Sequence, residues 1–350
     1  MNPAIKSILK KAGIICLSTI LFAMCSVLIY ITKITGNMHR LDGSPEIPVM
    51  ETNPNIPAEP MNMGSGYWTI AVFGVDSRNG DVGKGNHADV QLLCSINAAT
   101  GDIRLVSVYR DTYLNLSNDT YNKCNAAYMK GGPEMAINML NMNLDMNITD
   151  FITVGFAGLA DTIDALGGVM IDVDEAEINH LNSYQFTMAE DLKRPYKEVT
   201  STGYQLLTGL QATAYCRIRY TAGDDFKRTE RQREVIMAMA DKAKTASVST
   251  LNQIASDVFN EIYTSLDLTE IVELLGGISE YNIVDQAGFP YEEYRTTGTI
   301  GSKGSCVIPV DLKESVEWLH KFLFDEDYTA SGEVQSYSEK IKSDTSSYLK

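Results

Sequence analysis

Histidine and cysteine are scarce in this chain, and neither recurs at a spacing that binds a metal. Four histidines are scattered over 350 residues, and no cysteine pair stands at the short interval of a zinc site. A transition-metal centre is therefore not expected. Cys16 and Cys25 lie in an apolar run, while Cys94, Cys124, Cys216 and Cys306 are far apart, compatible with three full pairings or with free thiols. Also missing are the GxSxG elbow of serine hydrolases and the HExxH of zinc peptidases, and the glycine-rich GDVGKG lacks P-loop spacing. Basic residues are in the minority: 29 Lys plus Arg face 45 Asp plus Glu, a formal charge of −16. A broad grip on nucleic acid needs many cations over one face, so no nucleic-acid partner is expected.

What is present begins with Ala12 to Thr32, 21 residues without a charge. As an α-helix this run is about 31 Å long, enough for a hydrocarbon core of roughly 30 Å. Lys6, Lys10 and Lys11 precede it, so the positive-inside rule keeps residues 1–11 in the cytoplasm and sends everything after the span outside the cell membrane. A cleaved signal peptide would share the charged start, but the apolar run exceeds the usual h-region and no small-residue cleavage site follows closely. Residues 45–60 hold five of the ten prolines, so 33–66 is expected as an extended linker.

From Trp68 the pattern changes. WTIAVFGVD, VQLLCSIN and IRLVSVYRD read as strands, the last two joined as a hairpin by AATGD. PEMAINMLNMNL and FAGLADTIDAL read as helices, the second closed by Gly167 and Gly168. A strand at Val169 to Val173, a polar loop at about 175–203, a strand ATAYCRIRY, helices from Phe226 to about Leu275, a strand at QAGFP and a helix at DLKESVEWLHKFLF follow. Strands interleaved with helices predict a layered α/β/α domain with a central mixed sheet over residues 67–325, leaving 326–350 as a polar, Ser-rich tail.

Five of only eleven arginines fall between Arg217 and Arg233. Alternation along a strand would point Arg217 and Arg219 the same way, and Arg228, Arg231 and Gln232 share one face of the helix that follows. Asp225 stands at the cap position of that helix, whose N-terminus favours phosphate. The plain alternative pairs these arginines with Asp224, Asp225 and Glu230 on a wet surface. Asp76 and Asp89 stand at the ends of adjacent strands, where two carboxylates with phosphate and water suit Mg²⁺, although an aspartate after a strand is commonly a turn residue. Arg110 ends the third strand, and Lys123 adds a cation. The combination predicts an Mg²⁺-assisted pyrophosphate site.

In their order, GVDSR, ADV, SVYRDT, KCNAAYMKGG, IDALGGV and LTGLQATAYCRIRYTAGDDFKRTERQ resemble the motif series of the LytR-CpsA-Psr family, from about residue 68 to 245. The resemblance implies a phosphotransferase of the Gram-positive envelope. It would attach an anionic glycopolymer, of teichoic acid or capsule type, from a polyprenyl pyrophosphate carrier to peptidoglycan. By the same resemblance Asp76 and Asp89 would hold Mg²⁺, and Arg78, Arg110, Lys123, Arg217, Arg219, Arg228 and Gln232 would bind the pyrophosphate. Asp225 would orient an arginine or act as base. Arg110, Arg217 and Arg219 would offset the charge that develops in phosphoryl transfer. The chain departs from the family where His87 and Ala88 stand in place of an arginine and a hydroxyl residue. The helix at FAGLADTIDAL would line a lipid tunnel, although its spacing equally suits core packing. A lipid pyrophosphate phosphohydrolase and a non-catalytic binder of polyprenyl phosphate are the alternatives. A transcriptional regulator is set aside, because an acidic domain outside the membrane meets no DNA.

Overall fold

The computed structural model describes residues 66–77, 81–219, 224–247, 262–266 and 278–349, with single positions at 251, 254 and 274. The expected membrane span and linker, and Arg78, lie outside the described residues. Among those described, no helix is long and apolar enough to cross a membrane.

Three apolar runs form the meander expected of them. β1 (Tyr67–Val75), β2 (Ala88–Asn97) and β3 (Asp102–Val108) pair antiparallel in sequence, Gly101 supplying the positive φ of the hairpin turn. A short ribbon, β4 (Tyr113–Asn115) and β5 (Tyr121–Lys123), leads into α1 (Asn125–Leu144). This helix starts earlier than PEMAIN and is kinked where Gly132 leaves helical geometry, so Pro133 opens its second segment. β6 (Asp150–Gly155) then pairs parallel with β1. α2 (Phe156–Ala165) stops at Gly167 and Gly168, both at positive φ, and returns the chain as β7 (Val169–Val173).

Two expectations fail next, both for reasons of local capping. Residues 175–203, read as a polar loop, contain α3 (Glu175–Leu192), opened by a capping box between Asp174 and Glu177. ATAYCRIRY, read as a strand, begins as helix. β8 (Gly203–Leu207) pairs with β7, and Thr208 and Gln211 form a second capping box that opens α4 (Gly209–Tyr215). Gly209 is required there: a Cβ would lie 1.9 Å from the Ala160 carbonyl oxygen.

α5 (Asp224–Thr245) crosses toward the sheet, whose edges are completed by β9 (Ile262–Thr264) beside β6 and β10 (Asn282–Phe289) parallel to β3. The strand order is β10-β3-β2-β1-β6-β9, a central mixed sheet. A ribbon of β11 (Arg295–Thr299) and β12 (Ser305–Pro309), then α6 (Leu312–Phe324) and α7 (Gly332–Thr345), finish the described chain. The tail expected over 326–350 is thus corrected. α7 is capped by Ser331 and buries Val334 and Ile341, its exposed polar residues, among them Glu333, Gln335, Glu339 and Lys340, being its solvent face.

Period-two alternation divides the sheet into two faces. Ala71, Phe73 and Val75 of β1 join Leu93, Val106 and Phe151 in a principal core packed with residues of α1, α6 and α7. Val72 and Gly74 face the other way, with Val90 and Val154, and this second face is where α5 arrives. A separate core cluster unites residues of α2, β7, β8, α3, α4 and α5.

Candidate active site

On that second face lies a cavity of about 350 Å³. Its sheet wall ends at Asp76 after β1 and Asp89 in β2, and its helical wall is one stripe of α5: Arg228, Gln232, Val235, Ile236 and Met239. Positions i, i+4, i+7, i+8 and i+11 lie on one side of a helix, so a single face grades from charged to apolar. Phe156 and Leu159 of α2 and Tyr184 of α3 close the apolar end.

Arg217 and Arg219 both reach this cavity although no strand carries them. The chain leaves α4 through a turn, in which the Arg217 and Ile218 N–H groups donate to the Ala214 and Tyr215 carbonyls at 3.0 and 3.3 Å; Ile218 buries in the adjoining core while Arg217 and Arg219 line the cavity. The two arginines share a side as expected, but a turn and not a strand puts them there. Arg217 lies over the Phe156 ring at 4.6 Å and the Tyr184 ring at 5.3 Å, and approaches Asp76 at 3.7 Å. It therefore marks the boundary between the polar and apolar ends.

Asp89 is the hub of the polar end. Its two carboxylate oxygens meet Arg110 at 2.5 Å and Arg219 at 3.0 Å, while Arg228 donates to its backbone carbonyl at 3.4 Å. Asp225 lies in the first turn of α5, 3.1 Å from Arg228 and 3.8 Å from Arg219. The Arg228 approach forms no hydrogen bond: Asp225 Oδ1 and Arg228 Nη1 and Nε are all buried without one. Burial pushes Arg228 down to about 10, against the pull of Asp225. Burial also opposes the charge on Arg110, but Asp89, Asp111 and Asp225 outweigh it and hold that guanidinium above its ordinary value.

Other expected members stand further off. Lys123 pairs with Asp111 at 3.3 Å, as Arg110 also does, and joins the cluster only through that carboxylate. Arg231, expected on the face of Arg228 and Gln232, is instead buried in an ion pair with Glu177 at 2.7 Å. His87 is exposed and Ala88 buried. All four cysteines among the described residues are free thiols, and burial pushes Cys216, on the cavity wall, and Cys124 up to about 12. Tyr184 and the apolar stripe of α5 were not anticipated. The capping box at Asp174 would have exposed α3 and with it Tyr184, and the period of α5 would have given the stripe.

Asp76 and Asp89 face the same cavity, and Asp76 Oδ1 is buried with no hydrogen-bond partner. Among the described residues no group of three or more His, Cys, Asp or Glu side chains is arranged to hold a metal. An oxygen-only pair suits a hard cation that takes its remaining ligands from phosphate and water, so the donor set fits Mg²⁺ and does not form a cage without phosphate.

The whole arrangement suits a ligand with a strongly anionic head and an apolar tail. Known proteins resemble this chain in sequence and in fold. TagU of Oceanobacillus iheyensis, a polyisoprenyl-teichoic acid–peptidoglycan teichoic acid transferase, is 31% identical over 214 residues, covering 59% of this chain and 61% of its own. TagV of Bacillus subtilis, of the same description, is 26% identical over 221 residues, covering 62% of this chain and 54% of its own. The chain thus matches only about half to three fifths of the length of these curated relatives. A solved structure of TagT with bound octaprenyl pyrophosphate lipid superposes with a TM-score of 0.54 at 18% identity, covering 82% of this chain and 94% of that one. The sequence model of the LytR_cpsA_psr family matches residues 35–307, most of the chain, and the protein belongs to that family.

Proposed function

We propose that this chain is an Mg²⁺-dependent phosphotransferase that moves an anionic cell-envelope glycopolymer, of teichoic acid or capsule type, from a polyprenyl pyrophosphate to peptidoglycan. One observation carries the reading: four arginines (Arg110, Arg217, Arg219, Arg228) gather around Asp89, Asp76 and Asp225 at the polar end of a cavity whose other end is apolar. A pyrophosphate on a lipid tail meets both ends at once. The names of the relatives and the lipid bound to TagT support the same substrate class.

The residues divide the work by position. Arg217, stacked between Phe156 and Tyr184, would bind the lipid-side phosphate where the tail turns into the cavity. Arg110, Arg219 and Arg228 would bind the phosphate that carries the polymer, exchanging carboxylate partners for phosphate oxygens, with Gln232 beside them and Lys123 steadying Asp111. The acceptor hydroxyl oxygen forms a bond to that phosphorus as its bond to the bridging oxygen breaks, and polyprenyl monophosphate leaves. Asp225 orients Arg219 and Arg228 through Oδ1, and its carboxylate would take the hydroxyl proton. Mg²⁺ between Asp76, Asp89 and the pyrophosphate would neutralise phosphate charge. Fixed charges in a cavity sheltered from water do most of the catalysis in such a reaction. An anchor at residues 12–32, with the domain outside the cell membrane, belongs to the same proposal.

The test is incubation of the full chain with a lipid-linked polymer, Mg²⁺ and peptidoglycan fragments, reading product mass. The expected product is the polymer joined to the fragment by a phosphodiester. Free polymer phosphate with no adduct would make the protein a lipid pyrophosphate hydrolase, and binding without turnover a carrier of polyprenyl phosphate.

A further inference from the structure

Two further arginines, Arg233 and Arg295, stand outside the lining of the cavity. Tyr109 and Arg110 are consecutive at the end of β3. Arg110 turns to Asp89, whereas Tyr109 turns to Arg295, whose Nη1 donates to the Tyr109 hydroxyl at 2.7 Å and to the Pro290 carbonyl at 3.3 Å. On α5, Arg228 and Gln232 face the cavity, and Phe226 and Arg233, seven residues apart, share a different side. The Arg295 guanidinium lies 4.0 Å from the Phe226 ring centre, and Arg233 donates from Nε to Gln286 at 2.8 Å. Gly288 leaves room for the phenol, since a Cβ there would lie 2.0 Å from the Tyr109 oxygen.

Among the described residues no carboxylate forms an ion pair with Arg233 or Arg295. Arg233 is only 7% exposed, and its Nη1 is buried with no hydrogen-bond partner. The carboxylates that act on it, Glu230 and Glu234, are engaged elsewhere: Glu230 with Lys227 at 3.1 Å, and Glu234 with the Tyr215 hydroxyl at 2.7 Å. A buried guanidinium with an idle donor is costly unless a ligand meets it.

We infer that Arg233, Arg295 and the Tyr109 hydroxyl form a second anion subsite, which holds a carboxylate of the peptidoglycan acceptor. The inference rests on the proposed transfer reaction. In-line displacement brings the acceptor in opposite the leaving group. The leaving polyprenyl phosphate occupies the apolar cavity, whose lining includes none of Tyr109, Arg233 and Arg295, and Tyr109 adjoins Arg110 of the polar end, where the acceptor would enter. The donor's two phosphates already have four arginines, whereas the acceptor's peptide carboxylates have none.

The test uses the full chain and two soluble disaccharide-peptide fragments of peptidoglycan, one with free peptide carboxylates and one with those groups amidated. Calorimetry without donor reads fragment binding, and product mass reads transfer. The wild type is expected to bind the free acid at least tenfold more tightly than the amide. Arg233→Gln and Arg295→Gln should each erase most of that preference without changing the donor KM, with Arg295→Lys restoring part of it, and melting temperatures identify any variant that fails to fold. Equal affinity of the wild type for both fragments, or a preference that survives both glutamine variants, overturns the subsite. A donor KM raised in place of acceptor affinity overturns it too. Fragment preference without any transfer by the wild type would remove the transferase reading and leave the anion subsite standing.

Discussion

Arg228→Met separates a ligand-binding arginine from a structural one. Arg228 is 2% exposed, donates one long hydrogen bond to the Asp89 carbonyl, and leaves Nε and Nη1 without a hydrogen bond. Its fall from the ordinary arginine value to about 10 is equivalent to about 3 kcal/mol against the charged folded state. The sign is that of a base with a depressed value: the cost is present in full below about pH 10 and fades as pH rises beyond it. At neutral pH the whole of it applies. Methionine fills similar space and removes this cost, while giving up packing by the guanidinium and its pairing with Asp225. A net gain of about 1–2 kcal/mol in urea unfolding at pH 7 is expected. Binding should move the other way. One lost charge-assisted hydrogen bond to phosphate, roughly 1.5–3 kcal/mol, lowers affinity for a polyprenyl pyrophosphate at least tenfold. A variant that is destabilised by more than about 1 kcal/mol and binds the lipid as before would refute the reasoning and make Arg228 a structural residue.

Arg217→Lys should lose about tenfold in lipid affinity, because lysine lacks the planar fork that stacks between Phe156 and Tyr184, while its melting temperature hardly moves; titration with lipid in detergent checks it. Asp76→Asn should abolish Mg²⁺-dependent turnover with an unchanged circular dichroism spectrum, and full activity in this variant would remove the metal from the site. Glu177→Ala strands Arg231, 1% exposed, and should cost about 3–5 kcal/mol in denaturant unfolding, in contrast to the cavity arginines. Protease added to intact protoplasts should digest the domain, and protection until lysis would reverse the proposed topology.

Much of the sheet was legible because its information is local. Three apolar runs with a Gly-containing turn dictate β1 to β3, and paired glycines at positive φ dictate where α2 ends. The misread segments, 175–203 and 209–215, share one feature, since both contain a helix opened by a capping box, at Asp174 and at Thr208, a signal carried by cap spacing and not by an apolar run. Tertiary burial then fixes them. In the site, the arginines of 217–228 were visible as an excess of charge in an acidic chain. Which of them would face the cavity was not, because Arg231 is turned away by Glu177, 54 residues earlier. No pattern near either residue announces that pair. Arg295 is equally hidden, being 186 residues from the tyrosine it serves.

The closing helix has a consequence for how the protein is made. Ser331 ties the start of α7 to Asp145 at the end of α1, Ser338 bonds the start of α6, and Asp344 accepts from Tyr113 of β4. The principal core therefore stays open until residues 332–345 have been synthesised, however early β1 emerges. A domain carried across a membrane behind a cytoplasmic N-terminus would travel with that face unsealed, so completion of folding is timed by the arrival of α7.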